Sequence, residues 1–336
     1  MFDEIRSRIN EEIREFFREE IERASSIGRF NKSFYESLQE YILRGGKRLR
    51  PILSVLVYRA LGKEDDLIYR PSISIEFLHN STLVHDDIID RDELRRGKPT
   101  FHVMWRERFG DPHVGMSFGI LGGDLLRAIG EKAIFTAEID ESLKAELAEL
   151  YDRAYITVVD GVLKELDMVF EREVTEEDYF DMVYRKTAAL FEASATIGAK
   201  LSKADEIEEG RFREFAKLIG IAFQIQDDIL GSFGDPSVTG KPSDSDIREK
   251  KRTILLIRSL QEAEPDDLKI LNEYLEKKDL SEDDIEKVRE ILKKYGLPYA
   301  RRKALELVER AKELVTSYPN YESLRAFAEF LVFRKK

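Results

Sequence analysis

Two aspartate-rich motifs contain the residues of this sequence that are best suited to do chemistry. The first, DDIID, begins at Asp86 and ends at Asp90, so on a helix its two outer carboxylates share one face, one turn apart. The second is the pair Asp227 and Asp228 in FQIQDDILG, which also ends an apolar helical run. Like charges at such helix ends are costly unless a cation lies between them. The two motifs together favour one site with several cations over two unrelated helix ends.

Composition restricts the metal that such a site could hold. The chain has no cysteine and only 4 histidines among 336 residues. Disulfides, thiolate catalysis and cysteine-based zinc sites are therefore excluded, and a multi-histidine centre is disfavoured. Carboxylate oxygens remain as ligands, and these suit Mg²⁺, Mn²⁺ or Ca²⁺.

Basic clusters indicate what the cations would bind. Each cluster alone is typical of a solvated face, but the chain carries a net charge of −12, so together they indicate an anion site. Carboxylates bind phosphate only through a bridging cation, so the combination predicts a Mg²⁺–diphosphate site. Two separate basic groups predict two diphosphates, one bridged by metal and one held by basic residues alone. The basic residues are Lys47, Arg48, Arg50, Arg95, Arg96, Lys186, Lys241 and Lys251.

Long helices are expected to position these residues. No proline occurs between Pro112 and Pro236, which suits helices and disfavours a turn-rich β fold. No convincing alternating strand and no glycine-rich phosphate loop is present, so we predict an all-α protein. Ser281 is expected to cap a surface helix, with Asp284 at its third position. Apolar residues recur at helical spacing at Ile5, Ile9, Ile13, Leu147, Tyr151, Ala154, Leu307, Val308 and Ala311.

Charge and hydropathy define the expected surroundings of the protein. The absence of a long Gly-, Ser- or Pro-rich linker predicts a single domain over residues 1–336. The acidic balance argues against nucleic acid as a partner. The longest run without a charged residue is 12 residues, from Pro112 to Gly123, whereas a membrane span needs about 20. With no leader sequence visible, we expect a cytoplasmic protein without a membrane span.

The motifs, in this order and spacing, resemble the trans-isoprenyl diphosphate synthases of the polyprenyl synthetase family. DDILG with SDIRE is similar to archaeal short-chain members, and the chain as a whole resembles archaeal geranylgeranyl and polyprenyl diphosphate synthases. The resemblance implies an all-α fold, a single large helical bundle of the isoprenoid synthase type with a central cavity, and a homodimer. It rests on GGKRLRP, LVHDDIIDRDELRRGKPT, GGDLL, RKTAALFEAS, FQIQDD, GKPSDSDIREKKRT and LRAFAEFLVFR.

The resemblance also implies a reaction and a role for each motif residue. An allylic diphosphate would lose its diphosphate, the alkene of isopentenyl diphosphate would attack the resulting cation, and a proton would then leave. Three Mg²⁺ ions, with Mn²⁺ as an alternative, would be bound by Asp86, Asp90 and Asp227. The allylic diphosphate would contact Arg95, Lys186, Lys241 and Lys251, and isopentenyl diphosphate would contact Lys47, Arg50, His79 and Arg96. Lys186, Thr187 and Gln224 would line the site of the cation.

The sequence departs from the family pattern at several positions. The second acidic motif usually reads DDxxD, but its last position is Gly231, and Asp235 one turn later is a candidate replacement. Where the family often has Gly-Gln before an acidic helix, Gly161 is followed by valine. Lys250 stands where a glycine usually precedes the last lysine.

Two other functions are compatible with parts of this pattern. A class I terpene cyclase also uses Asp-rich motifs and Mg²⁺, but it binds one diphosphate and needs no second basic site. A non-catalytic subunit of a heteromeric synthase commonly lacks the Asp motif or the basic blocks, and both are present here. A condensing prenyltransferase is therefore favoured.

The residues before the first motif predict the length of the product. Each helical turn adds ~5.4 Å, about one isoprene unit of pocket depth. In the resembling family a large aromatic residue four or five positions before Asp86 stops growth early, but here these positions are Thr82 and Ser81. The chain would then extend to Leu78, giving at least about twenty carbons. A pocket floor formed by another helix, around Phe118, is the alternative.

Overall fold

The computed structural model describes residues 1–171, 173–234 and 244–332, and most of them lie in helices. This confirms the prediction of an all-α protein. The chain divides into two compact units, each described by itself here. Unit 1 comprises Met1–Tyr155, Ala193–Arg213 and Tyr318–Asn320, and unit 2 comprises Ile156–Glu192, Glu214–Ser317 and Tyr321–Lys336. The single domain over residues 1–336 stays a prediction.

The helices of unit 1 follow from its apolar periodicity. Its α-helices up to residue 135 are α1 (Phe2–Ile27), α2 (Arg29–Leu43), α3 (Leu49–Ala60), α4 (Tyr69–Ile89), α5 (Phe101–Phe109) and α6 (Pro112–Phe135). Ile5, Ile9 and Ile13 are fully buried on one face of α1, as their spacing predicts. Helix α4, which carries the first acidic motif, packs against α1, α3, α5 and α6.

Glycines let α6 approach α4 and α5 closely. A Cβ at Gly119 would lie 3.0 Å from Cβ of His102 in α5, and a Cβ at Gly122 would lie 3.0 Å from Cδ1 of Phe101. The glycines of the stretch Gly115–Gly122 therefore face neighbouring helices, and bulkier side chains there would push α6 away from α5.

A short hairpin between α4 and α5 was not expected from the sequence. Strand β1 (Leu94–Arg95) pairs antiparallel with β2 (Lys98–Pro99). The two residues between them, Arg96 and Gly97, have φ angles of 54° and 72°. Positive φ at both central positions is the requirement of the tight turn that matches strand twist, and Gly97 adopts it without strain.

Helices also form unit 2, and three helices run from the residue range of one unit into that of the other. These three are α7 (Glu141–Met168), α9 (Ala189–Leu201) and α10 (Glu206–Phe233). A five-residue π-helix, Tyr184–Ala188, comes directly before α9. The remaining helices are α8 (Glu176–Val183), α11 (Ser245–Arg248), α12 (Ile254–Glu262), α13 (Pro265–Glu276), α14 (Glu282–Ile291), α15 (Leu297–Leu314) and α16 (Tyr321–Val332), with a second π-helix at Leu292–Gly296.

Helix α14 begins at the predicted cap. The backbone N–H of Asp284 donates to Oγ of Ser281 at 3.2 Å, and the N–H of Ser281 donates to Oδ2 of Asp284 at 2.8 Å. This reciprocal capping box confirms the predicted helix start. Among the residues that the structure describes, no helix has the length and apolar character needed to cross a membrane.

Candidate active site

The first acidic motif lies at the C-terminal end of α4, and its carboxylates differ in their surroundings. Asp86 and Asp90 are half-buried, and the backbone N–H of Asp90 closes the last turn onto the carbonyl of Asp86 at 2.8 Å. The side chain of Asp87 is fully buried, and Oδ2 accepts a hydrogen bond from the hydroxyl of Tyr41 at 3.1 Å. The outer two aspartates thus share a face, while Asp87 belongs to the interior of unit 1.

Arg95 is held by this buried aspartate. Its Nε and Nη2 lie 2.6 Å and 2.5 Å from Oδ1 of Asp87. Burial lowers the pKa of Arg95, but the charge and hydrogen bond of Asp87, together with the charges of Tyr41 and Asp92, raise it by more, so the guanidinium keeps its charge. The hairpin therefore carries a firmly positioned cation beside the acidic end of α4. The contact of Arg95 with an allylic diphosphate remains a prediction.

One cation of the first basic block, Arg48, has a structural role. Arg48, at φ 53°, is buried, and its Nη1 lies 2.7 Å from Oε1 of Glu76 on α4. It also donates to Oδ1 of Asn10 at 2.8 Å and to the carbonyl of Ile42 at 2.7 Å. With three partners from three segments, Arg48 anchors the loop before α3, whose other cations include Lys47.

His79 on α4 lies close to several arginines, and its imidazole is shielded from water. Loss of hydration, followed by the charges of Arg50, Arg96, Arg95 and Arg48, lowers the pKa of His79 well below its usual value. The imidazole is therefore neutral at physiological pH. Nη1 of Arg96 also donates to the carbonyl of Gly45 at 2.7 Å, which connects the hairpin to the first basic block. The structure thus brings His79, Arg50 and Arg96 together within unit 1, as the sequence predicts.

The absence of a side chain at position 46 leaves room for the side chains of Arg48 and Arg96. A Cβ there would lie 3.0 Å from Nη1 of Arg48 and 3.1 Å from Nη2 of Arg96. Gly46 also has a φ angle of 118°, a conformation that L side chains rarely adopt. Both constraints explain the glycine at position 46.

The π-helix of unit 2 presents Lys186 and Thr187. Nζ of Lys186 forms an ion pair with Oε2 of Glu165 on α7. One turn earlier on α7 is Gly161, where a Cβ would lie 2.8 Å from the carbonyl carbon of Arg185. The bulge therefore fits against α7 only because Gly161 has no side chain. Single-turn π-helices are frequent at functional sites.

A chain of hydrogen bonds connects Thr187 to the second acidic motif. Oγ1 of Thr187 donates to Oε1 of Gln224 at 2.7 Å, and Nε2 of Gln224 donates to Oδ1 of Asp228 at 2.9 Å. The hydroxyl of Tyr179 donates to Oδ2 of Asp228 at 2.7 Å. Burial, with the nearby charge of Asp246, raises the pKa of Asp228 to about 7. Gln224 is thus locked in one orientation, with its carbonyl oxygen toward Thr187.

Two further predicted residues of unit 2, Asp227 and Lys251, lie on or near the last turns of α10. Asp227 is half-buried there. Nζ of Lys251 lies 3.9 Å from Oδ1 of Asp246 and 2.9 Å from Oε2 of Glu249. Lys241 and Asp235 lie outside the described residues.

The donor set at the end of α4 fits a hard divalent cation. In proteins Mg²⁺ is commonly held by one or two carboxylates, and phosphate oxygens and waters complete its coordination. Asp86 and Asp90, one turn apart on a helix, match that arrangement. Across residues 1–171, 173–234 and 244–332, no group of three or more acidic or histidine side chains converges to hold a metal by itself.

The predicted chain-length residues lie on α4 before the acidic motif. Ser81 and Leu78 are fully buried, and among the described residues Oγ of Ser81 has no hydrogen-bond partner. Thr82 is half-buried and its hydroxyl donates to the carbonyl of His79 at 2.8 Å. The alternative floor residue, Phe118, packs against Trp105, with ring centroids 4.7 Å apart.

Several residues that shape the site were missed in the sequence. Tyr41, Glu76, Glu165 and Tyr179 carry no motif of their own, and they act by holding a motif residue from another helix. Lys250 differs from these residues, because the sequence alone shows a lysine at a position where the family usually has glycine. Its φ angle is 54°, which explains the usual preference for glycine there.

Comparisons with known proteins show what this chain is similar to. Residues 31–292 match the family described as Polyprenyl synthetase. The chain is 39% identical over 326 residues to the geranylgeranyl diphosphate synthase of Saccharolobus solfataricus, covering 92% of this chain and 94% of that protein. It is 41% identical over 271 residues to the short chain isoprenyl diphosphate synthase of Methanocaldococcus jannaschii, covering 80% and 78%. The crystal structure of geranylgeranyl pyrophosphate synthase from Corynebacterium glutamicum, complexed with isoprenyl diphosphate and magnesium, matches over the full length of both chains, with a TM-score of 0.91 and 26% identity.

Proposed function

Because the chain belongs to the polyprenyl synthetase family, we propose that it is a trans-prenyltransferase that condenses isopentenyl diphosphate with an allylic diphosphate. The observation that carries this proposal is the presence, in unit 1, of two kinds of anion-binding group. The carboxylates Asp86 and Asp90 suit a diphosphate bridged by metal, and the cluster of Arg50, Arg96 and neutral His79 suits one bound without metal. A terpene cyclase would need only the site for a diphosphate bridged by metal.

The residues of this chain act by binding, orienting and stabilising charge. When bound, Mg²⁺ supplies positive charge that stabilises the departing diphosphate of the allylic substrate. Asp86, Asp90 and Asp227 would hold three ions, and Arg95, Lys186, Lys241 and Lys251 would contact the same diphosphate. Lys47, Arg50, His79 and Arg96 would hold isopentenyl diphosphate, whose diphosphate does not leave.

The allylic cation needs stabilisation without a nucleophile that would trap it. Oxygen dipoles of Thr187 and Gln224 would face it, and the hydrogen bonds from Thr187 through Gln224 to Asp228 keep these dipoles oriented before the reaction. The alkene of isopentenyl diphosphate would then form the new carbon–carbon bond to the allylic cation, and the released diphosphate would take up the proton whose loss restores the double bond.

The product is proposed to be all-trans geranylgeranyl diphosphate or a longer chain. Small residues at Ser81 and Thr82 support this, as does similarity to a geranylgeranyl diphosphate synthase. The test is incubation with Mg²⁺, isopentenyl diphosphate and an allylic primer. We expect the protein to consume isopentenyl diphosphate. EDTA should abolish this activity, and added Mg²⁺ should restore it. Cyclic products without consumption of isopentenyl diphosphate would instead identify a terpene cyclase.

We also propose a homodimer that works in the cytoplasm. Helix α6 exposes Met116, Ile120 and Leu121, each between 41% and 56% accessible, while its glycines Gly115, Gly119 and Gly122 face inward. A row of exposed apolar side chains on a helix is typical of an interface. Sedimentation should give twice the 39.1 kDa mass of the chain, and a fully active monomer would contradict the dimer.

A further inference from the structure

The second acidic motif lacks its third carboxylate, yet a carboxylate occupies the same place. Position 231, four residues after Asp227 on α10, is glycine. A Cβ built on Gly231 would lie 2.8 Å from Cγ and 3.3 Å from Oδ1 of Asp246. The side chain of Asp246 therefore fills the space that any side chain at position 231 would need.

Position 231 lies on the same face of α10 as Asp227, because residues four apart in a helix are neighbours. Asp246 reaches that face from α11, whereas a third motif aspartate would reach it from α10 itself. Burial raises the pKa of Tyr179, and the charges of Asp228, Asp246 and Asp227 raise it further, so all three carboxylates lie near the Tyr179 side chain.

The segment that carries Asp246 is anchored on both sides. Ile247 is buried, and its carbonyl accepts a hydrogen bond from the hydroxyl of Tyr274 at 2.7 Å. The N–H of Lys251 donates to the carbonyl of Asp246 at 3.0 Å. The position of the carboxylate over Gly231 is thus determined by the packing of α11.

We propose that Asp246 replaces the missing third carboxylate of the second acidic motif, and that position 231 is glycine because a side chain there would displace Asp246. This inference rests on the proposed function, in which the end of α10 takes part in binding diphosphate with Mg²⁺. It makes Asp246 a positioning residue for that binding and couples it to Gly231.

Binding of inorganic diphosphate with MgCl₂ to the full chain, measured by calorimetry, tests the coupling. Asp246→Asn keeps the volume and removes the charge, and it should weaken Mg²⁺-dependent binding about 10- to 100-fold. Gly231→Asp should also weaken binding, because its side chain collides with Asp246. The double variant Gly231→Asp with Asp246→Gly returns one carboxylate to this place, and it should bind more tightly than either single variant.

Controls separate this coupling from loss of structure and from failure of the proposed function. Asp283→Asn removes the same charge from an exposed site paired with Lys287, and its binding should match the wild type. Unchanged binding by Asp246→Asn overturns the inference, as does a double variant no better than the single ones. If Gly231→Asp does not fold, the Asp246→Asn result decides. Wild-type chain that binds diphosphate but fails to consume isopentenyl diphosphate overturns the proposed function and not this coupling.

Discussion

Two nitrogens of Arg95 contact the same oxygen of Asp87, at 2.6 Å and 2.5 Å. Asp87 therefore anchors the hairpin through Arg95, and its role differs from that of Asp86 and Asp90. A substitution at Asp86 should therefore affect catalysis, whereas one at Asp87 should affect folding.

Asp86→Ala should lower kcat at least ~10²-fold in saturating Mg²⁺, because one electrostatic contact in the transition state is lost. Its free energy of unfolding should change little. Asp87→Ala should instead cost about 3–5 kcal/mol of stability, since it leaves the Arg95 charge without its buried partner. Steady-state kinetics and urea denaturation measure the two effects. Full activity of Asp86→Ala in Mg²⁺ would contradict the metal assignment.

Substitutions in the two proposed diphosphate sites should have different kinetic effects. Lys47→Ala should raise KM for isopentenyl diphosphate about tenfold or more, with little effect on kcat, because it binds a group that does not leave. Arg50→Ala should act in the same direction. Lys241→Ala should act mainly on the allylic substrate, and so serves as the matched comparison. An unchanged KM for isopentenyl diphosphate in Lys47→Ala would show that the first basic block binds something else.

The buried pair of Arg48 and Glu76 should be a stability determinant. Arg48→Ala should cost about 3–5 kcal/mol, because Glu76 would stay buried without its counter-charge. Arg18→Ala, which breaks an exposed pair with Glu15, should cost less than about 1 kcal/mol. Replacing both Arg48 and Glu76 by methionine should recover much of the loss. Equal effects at positions 48 and 18 in chemical denaturation would refute this role.

His79 should make the protein less stable in acid. In the unfolded chain its imidazole takes up a proton near pH 6.5, whereas burial and the arginines keep it neutral in the fold. Stability should then fall as the pH drops through 6.5, by at most about 2 kcal/mol at pH 5. His79→Gln should remove this part of the pH dependence. Nitrogen NMR shifts of a protonated imidazole at pH 6 would contradict the prediction.

Product length should respond to the residues before Asp86. Ser81→Phe or Thr82→Phe should shorten the main product by at least one isoprene unit, since each turn of α4 spans ~5.4 Å. Mass analysis of the products and thermal unfolding of each variant give the measurement and its folding control. A wild-type product that stops at farnesyl diphosphate, or an unchanged product from Ser81→Phe, would place the pocket floor on another element.

The local parts of this protein could be predicted from its sequence because they depend on neighbours within one or two turns. The burial of Ile5, Ile9 and Ile13, the cap at Ser281 and the shared face of Asp86 and Asp90 all follow from helical period and local hydrogen bonding. The family also follows from motif order, because seven blocks in one chain are specific even where single blocks are not.

Only the tertiary structure distinguished residues of the same type within one motif. Arg48 is buried against Glu76, 28 positions away, and Asp87 accepts a hydrogen bond from Tyr41, 46 positions away. The place of Asp246 over Gly231 likewise depends on how α11 packs. Such pairings join elements distant in the chain, and helical periodicity carries no information about which helix faces which. The roles of these side chains were therefore decided by packing.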